Sequence, residues 1–256
     1  MKKIRKAVAA LMLMTAVFIA AGCSKPDEPN NGGDNNGGNG GGGGNGSGSG
    51  IYNGNYEFVD LGLPSGTLWA TCNVGAKTPE GYGDYFAWGE TEPKDVYDWS
   101  TYKYCYTDFK HLTKYCSNPD YGINGFTDTL TTLQADDDAA TVNWGSEWCV
   151  PTKAQWEELY HNTTSIWISQ NSVNGRLYTG SNGNTLFLPA AGGYRRSNGL
   201  DCEGSDGFYW SSSHINESPT FAARAWNFEF DLDESYPREN GARCDGLSVR
   251  PVRFAK

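Results

Sequence analysis

The run from Ala222 to Leu232 alternates. Ala222, Trp226, Phe228, Phe230 and Leu232 fall on one side, with Arg224 as the exception, while Asn227, Glu229 and Asp231 fall on the other. This period of two predicts a half-buried strand. The aromatic run Phe208-Tyr209-Trp210 and the serines Ser211, Ser212 and Ser213 open the same stretch. The apolar run from Leu247 to Val252 suits a second strand beside the first. Pro251 lacks an N–H and belongs at that strand's end or on an edge. Asn240-Gly241 and Asp245-Gly246 supply residues that tolerate positive φ, so turns are expected there. Residues 233–244 are polar, carry Tyr236, Arg238 and Arg243, and read as a loop. The C-terminal part is therefore expected to be a closing hairpin with a decorated loop.

The earlier chain offers shorter signals. Residues 56–61 read as a strand, Pro64-Ser65-Gly66 as a turn, and Leu68, Ala70, Cys72 and Val74 as one face of a further strand. Tyr85-Phe86-Ala87-Trp88 is another strand candidate. Residues 90–125 show no period and read as long ordered loops, which points to a binding role or a disulfide staple. Acidic Asp136-Asp137-Asp138 ahead of residues 139–145 suits a helix N-terminus, with Gly145 at the helix end. The same three aspartates admit calcium through their oxygens, although EF-hand spacing is missing. Thr152-Lys153-Ala154-Gln155 is a capping box, and Trp156, Leu159 and Tyr160 follow at helical spacing, so a helix is expected over 152–162. Residues 176–188 read as a hairpin turning at Ser181-Asn182-Gly183-Asn184, followed by a loop over 189–196. The expected class is α+β, with a mainly antiparallel sheet and two short helices.

The first 22 residues carry Lys2, Lys3, Arg5 and Lys6, then an apolar run too short to span a bilayer comfortably. They read as a signal peptide. The ending Ala20-Ala21-Gly22-Cys23 resembles a bacterial lipobox, with Ala20 where Leu is usual. The resemblance implies cleavage before Cys23 and lipid on its sulfur and amine. An ordinary secretory signal with a chance cysteine is the other reading. Ser24 after the cysteine suggests the outer membrane in lipoproteins of this kind. Residues 23–50 are dominated by Gly, Asn and Ser and have little to bury, so a disordered tether is expected. By coil scaling it spans roughly 30 Å.

The globular part, residues 51–256, suits one domain. The chain carries a formal charge of −10, which disfavours nucleic acid and anionic membrane as partners; the membrane is approached through the lipid anchor only. Seven cysteines leave six if Cys23 is acylated: Cys72, Cys105, Cys116, Cys149, Cys202 and Cys244. Six allow fifteen connectivities. Cys105 and Cys116, in matching Lys-Tyr-Cys contexts, are the candidate pair for a short staple. Cys72 also reads as a buried thiol. Neither CxxC nor Cys/His ligand spacing occurs, so no zinc site and no cofactor are expected, and calcium has only the aspartate run behind it.

A set of motifs is shared with a known family. Val59-Asp60-Leu61-Gly62-Leu63-Pro64-Ser65-Gly66, Trp69-Ala70-Thr71-Cys72-Asn73-Val74-Gly75-Ala76, Gly83-Asp84-Tyr85-Phe86-Ala87-Trp88-Gly89-Glu90, Phe187-Leu188-Pro189-Ala190-Ala191-Gly192, Tyr209-Trp210-Ser211-Ser212-Ser213 and Ser248-Val249-Arg250-Pro251-Val252 together resemble the Fibrobacter succinogenes major paralogous domain, common in lipoproteins of Bacteroidetes. The resemblance implies a C-type-lectin-like fold of the formylglycine-generating-enzyme form, shared with retroelement-diversified variable proteins. Those enzymes hold copper on two closely spaced cysteines near the chain end, and that pair is missing here. No Gly-x-Ser-x-Gly or Cys-His pairing suggests catalysis, although carboxylates are plentiful.

The expectation is a non-catalytic surface lipoprotein that binds an extracellular glycan or protein. Sugars suit aromatic faces flanked by polar groups. The candidate ligand-binding residues are Tyr194, Arg195, Arg196, Asp201, His214, Glu217, Tyr236 and Arg238, all in the late part of the chain. Asp128-Thr129-Leu130 also matches a short O-glycosylation pattern at Thr129. A catalytic domain and a structural surface subunit are the competing readings.

Overall fold

The computed structural model describes residues 49–51, 56–195, 199–215 and 221–254. Cys23 and most of the expected tether lie outside the described residues. Fourteen strands and two α-helices are described. In chain order the strands are β1 (Ser49–Ile51), β2 (Glu57–Asp60), β3 (Thr67–Ala70), β4 (Tyr85–Phe86), β5 (Thr164–Gln170), β6 (Val173–Thr179), β7 (Thr185–Pro189), β8 (Gly193–Tyr194), β9 (Leu200–Asp201), β10 (Gly207–His214), β11 (Arg224–Phe230), β12 (Ser235–Ala242), β13 (Leu247–Ser248) and β14 (Val252–Phe254). The helices are α1 (Ala139–Trp144) and α2 (Lys153–Asn162). The chain is thus α+β with mainly antiparallel sheets. No described helix is long and apolar enough to cross a membrane.

Both helices start where the side chains dictate. Asp138 caps α1 by accepting from Thr141 N at 2.8 Å, and Gly145 ends it at positive φ. Thr152 and Gln155 form a reciprocal capping box at the start of α2. The Asn182-Gly183 turn joins β6 to β7, with Gly183 at φ +85.

The central element is a five-stranded sheet in the order β12-β11-β10-β13-β4. Its middle strand β10 is buried on both faces. Phe208 and Trp210 enter one core with Phe86, Trp88, Tyr102, Tyr115 and Trp148. Tyr209 enters a second core with Trp69, Trp156, Tyr178, Leu188, Phe228 and Phe230. Burial on both sides explains why β10 does not alternate in sequence. Helix α2 covers the second core, where Trp156 stacks on Phe228 at 4.6 Å. Three indoles donate into the sheet's surroundings: Trp88 Nε1 to Ser211 O at 2.8 Å, Trp210 Nε1 to Phe86 O at 2.7 Å and Trp156 Nε1 to Trp210 O at 3.2 Å.

The C-terminal stretch departs from the expected hairpin. β11 pairs with β10 on one side and on the other with β12, a strand formed by residues read as loop. Leu247–Ser248 joins the sheet beside β10, in parallel. Val252–Phe254 pairs instead with β3, in a four-stranded sheet ordered β1-β2-β3-β14. Pro251 sits between these two short strands, where no ladder bond is required of it. The alternation holds within β11: Phe228 and Phe230 enter the second core, and Trp226 lies half-buried on the same side beneath Lys153 Nζ of α2 at 3.8 Å. It fails at the ends, where Ala222, ahead of the strand, joins the first core. Asn227 is buried, and Leu232 lies beyond the strand with its side chain exposed. Ser49 and Gly50, at the end of the expected tether, pair with Val59 and Phe58. Strand β5, in a stretch with no predicted element, makes a three-stranded sheet with β6 and β7.

Residues 87–134 form one long connection whose only strand-like contacts are isolated bridges. Arg243, expected in an exposed loop, is fully buried and holds this connection in place. Its Nε donates to the Tyr102 hydroxyl at 3.0 Å, Nη1 to Tyr115 O at 3.0 Å and Ala222 O at 3.1 Å, and Nη2 to Lys114 O at 2.9 Å. The guanidinium also lies 4.9 Å from the Trp88 ring. A planar fork reaches carbonyls on several segments at once, which an ammonium cannot. Asp137 works from the other side. It accepts from Lys114 Nζ and from the Tyr115 hydroxyl, each at 2.6 Å, and from the Tyr104 hydroxyl. Burial alone would raise this carboxyl, but these donors outweigh it and hold it below the usual carboxylate range.

Arg243→Lys is expected to lower unfolding free energy by about 3–5 kcal/mol, since the remaining carbonyls lose their donors inside the core. Equilibrium urea unfolding measures this. A loss below about 1 kcal/mol, the size of an ordinary surface change, would mean Arg243 does not hold the connection.

Candidate functional site

The structure separates the sequence candidates. Arg196 and Glu217 lie outside the described residues. Tyr194, Arg195 and Asp201 come together at the small β8–β9 hairpin. This hairpin docks on Gly246 through a pair of Tyr194–Gly246 backbone bonds, each 2.9 Å. The Tyr194 ring packs against Tyr85 and Tyr97 at 5.1 and 5.0 Å, and the Arg195 guanidinium lies 4.2 Å over Phe208. Asp201 is exposed. Tyr236 and Arg238 lie on β12, an edge strand of the five-stranded sheet. There the Arg238 guanidinium sits 4.1 Å over the Tyr236 ring and 3.2 Å from Glu229. These are two separate sites.

His214 is a core residue, not a loop ligand. It is 3 % exposed at the end of β10, its ring 5.8 Å from Trp88, with Nε2 3.1 Å from Ala222 O. That contact makes Nε2 the protonated nitrogen of a neutral ring. Nδ1 is buried without a hydrogen-bond partner among the described residues. Burial, reinforced by the nearby Arg243 charge, pushes the imidazole down to about 4.

The expected Cys105–Cys116 staple does not form. Cys105 and Cys116 are both free thiols. Cys105 Sγ donates to Trp99 O at 2.8 Å and Cys116 Sγ to Asn118 O at 3.1 Å. Matching local sequence did not bring the two sulfurs together. Cys72, expected within a strand, lies just past β3 as a half-buried free thiol. Asp137 and Asp138 direct their oxygens to protein donors, Asp138 Oδ2 accepting from Val150 N at 2.9 Å. No group of three metal-ligating side chains converges among the described residues. A void of about 10 Å³ beside Trp88, Glu90 and Asp137 has room for about one water. Thr129 is exposed, while Asp128 accepts from the backbone N–H of Tyr115, Cys116 and Leu130.

The arrangement that sequence reasoning missed lies on the long connection. Trp99, Phe109 and Tyr121 form a ladder of rings, with centroids 6.2 Å apart for the first pair and 6.1 Å for the second. Phe109 is 39 % exposed, and nearby in sequence Tyr106 is 74 % exposed. Trp99 meets buried Tyr102 edge-on at 5.5 Å, so the ladder rests on a partner of Arg243. Polar groups flank it. Asp98 Oδ1 accepts from Ser100 N and Oγ, and those bonds hold its carboxyl below the usual range. Asp108 accepts from Lys110 N at 2.8 Å and contacts His111 Nδ1 at 2.9 Å, while Lys110 Nζ approaches the Phe109 ring at 6.0 Å. The signal was available only as the unpatterned richness of residues 97–126 in Trp, Tyr and Phe.

A family described as "Domain of unknown function (DUF8237)" matches residues 162–252, from the end of α2 to the start of β14. No curated protein and no solved structure matches the chain. The aromatic ladder lies outside the matched stretch.

The His214 geometry carries a pH consequence. The folded value lies below the unfolded value near 6.5, so this residue's contribution is fully present above pH 6.5 and is lost as pH falls towards 4. The loss is roughly 3 kcal/mol. Unfolding free energies of the wild type and His214→Gln, measured at several values between pH 7 and 4, are expected to fall more steeply for the wild type. Parallel curves would refute the assignment.

Proposed function

We propose that this chain is a non-catalytic extracellular binding module that holds glycans on the Trp99–Phe109–Tyr121 ladder. The observation that supports it most is the setting of these rings. They are partly exposed, yet they stand on a connection fixed by Arg243 and Asp137. Pyranose rings offer an apolar face that stacks on aromatic side chains, and their hydroxyls bond to neighbouring polar groups. A rigid platform binds with little ordering cost. The flanking Asp98, Ser100, Asp108 and Lys110 supply both acceptors and donors.

The N-terminal sequence fits the same role. Lipid on Cys23 would hold the domain at the outer membrane, and a Gly/Asn-rich tether would let it search the space outside. The motif resemblance supports a C-type-lectin-like form of the α+β fold and membership of the Fibrobacter paralogous group. The β8–β9 hairpin, with Tyr194, Arg195 and Asp201, is the competing surface, and a protein ligand suits its charges.

Affinity electrophoresis of the full chain against a panel of soluble polysaccharides tests the reading. Retardation by at least one polysaccharide is expected, and Trp99→Ala or Phe109→Ala should weaken it about tenfold, roughly 1.4 kcal/mol. Tyr194→Ala and Arg238→Ala should leave it unchanged. Absence of any retardation, or loss only with Tyr194→Ala, would overturn the ladder as the site.

A further inference from the structure

Strand β5 is the outer strand of its sheet. All seven residues pair with β6, from Thr164–Thr179 to Gln170–Val173, with no shift in register. No backbone hydrogen bond joins its other edge to any described residue. Folded proteins normally blunt such an edge with charge, proline or a bulge. The outer strand β12 does so, with Pro237, Arg238 and a register shift. β5 has none of these features. It reads Thr-Ser-Ile-Trp-Ile-Ser-Gln, without a charge, and Ile166 is 58 % exposed.

The sequence of this edge has its own symmetry. Ser165-Ile166-Trp167-Ile168-Ser169 reads the same in both directions about Trp167. A two-fold interface requires that whatever residue i meets, its counterpart meets in return. A palindromic antiparallel strand meets that requirement with identical side chains. We propose that β5 pairs antiparallel with β5 of a second copy of this chain, with the axis at Trp167. Ile166 then faces the partner's Ile168, and Ser165 faces the partner's Ser169. The two three-stranded sheets become one sheet of six.

The side chains suit this pairing. Trp167 turns inward to Phe230, with ring centroids 6.4 Å apart, and Ser165 Oγ accepts from Arg176 Nη1 at 3.0 Å. Ile166 and Ile168, one residue out of phase, therefore lie on the opposite face. Ile166 is directly paired with Leu177 of β6. The row Leu177–Ile166 continues across the axis into the partner's Ile168, so apolar contact accompanies the backbone bonds. Pairing at one strand is smaller than a standard interface, so the dimer is expected to be weak in solution, with a Kd of about 10–100 µM. Tethering two copies to one surface would raise their effective concentration and favour it.

Sedimentation equilibrium of the full chain in density-matched mild detergent is expected to show a monomer–dimer equilibrium. Ile166→Lys should weaken it at least tenfold without lowering the thermal midpoint, because the side chain is already mostly in water. Should Ile166→Lys misfold, Ile166→Thr keeps a β-branched residue and is expected to weaken association severalfold. Register is read by oxidative cross-linking. A mixture of Ile166→Cys and Ile168→Cys chains should give more disulfide dimer than either alone, with the wild type as the background for native thiols. A monomer at every concentration up to roughly 300 µM, whether the edge is bare or covered by residues 1–48, overturns the proposal. So do Ile166→Lys chains that dimerise like the wild type, or single-variant chains that cross-link as well as the mixture.

Discussion

Irregular backbone inside a protein must find donors for its carbonyls, and here buried guanidinium groups provide them. Arg243 reaches carbonyls of Lys114, Tyr115 and Ala222. Arg250 reaches Ala70 O at 3.1 Å and Thr71 O at 2.5 Å, and Asn73 Oδ1 at 2.8 Å. Arg176 reaches Asp231 O at 2.9 Å and Leu232 O at 3.1 Å. Each of these carbonyls belongs to a segment that leaves a strand or never forms one. A buried carbonyl without a partner costs about 1–3 kcal/mol, so three such forks stabilise backbone that no ladder supports. The five fixed donors of arginine make this feasible.

This solution changes what a loop means in this chain. Residues 87–134 lack the cross-strand bonds that make a sheet rigid, yet Tyr97, Tyr102, Tyr104, Leu112, Tyr115 and Cys116 are all buried. Ring contacts of 4.9–5.9 Å run through Trp88, Tyr115, Tyr104 and Tyr102. The connection behaves as a second layer of core laid over one face of the five-stranded sheet. Its outward rings inherit that order. Side chains at the tip of a fixed support lose little further entropy on meeting a ligand, which is the physical basis for placing recognition there.

Local signals survived the passage from sequence to structure. The Thr152–Gln155 capping box, the Asp138 cap and the Asn182-Gly183 turn depend on neighbours within a few residues, and all three stand as expected. What failed depended on residues far apart in the chain. Arg243 sits in polar surroundings and reads as solvent-facing, because its partners are about 130 residues upstream. His214 reads as a loop residue until Trp88 and Arg243 close around it. Residues 235–242 contain a proline and a glycine, which argue against a strand, but an edge position beside β11 tolerates both. Cys105 and Cys116 share a local context that has no bearing on where their sulfurs point. The aromatic ladder was hidden for the same reason: its three rings come from separate turns with no common period.

The chain therefore divides its labour unevenly along its length. The stretch 162–252 that matches a described family contains Arg176, Arg243 and Arg250, together with β10 and β11. It supplies the sheet and the forks that hold everything else. The connection 87–134 lies outside it and supplies exposed rings, turns and charges. Substitution in the first part disturbs carbonyl donors and two cores at once. Substitution at the rim of the second, at Tyr106, Phe109 or Lys110, disturbs neither. A scaffold built this way tolerates change in what it displays far better than change in how it displays it. Under the proposed binding role, selectivity among ligands would be set by the least constrained residues of the fold, while the fixed arginines keep those residues in one arrangement.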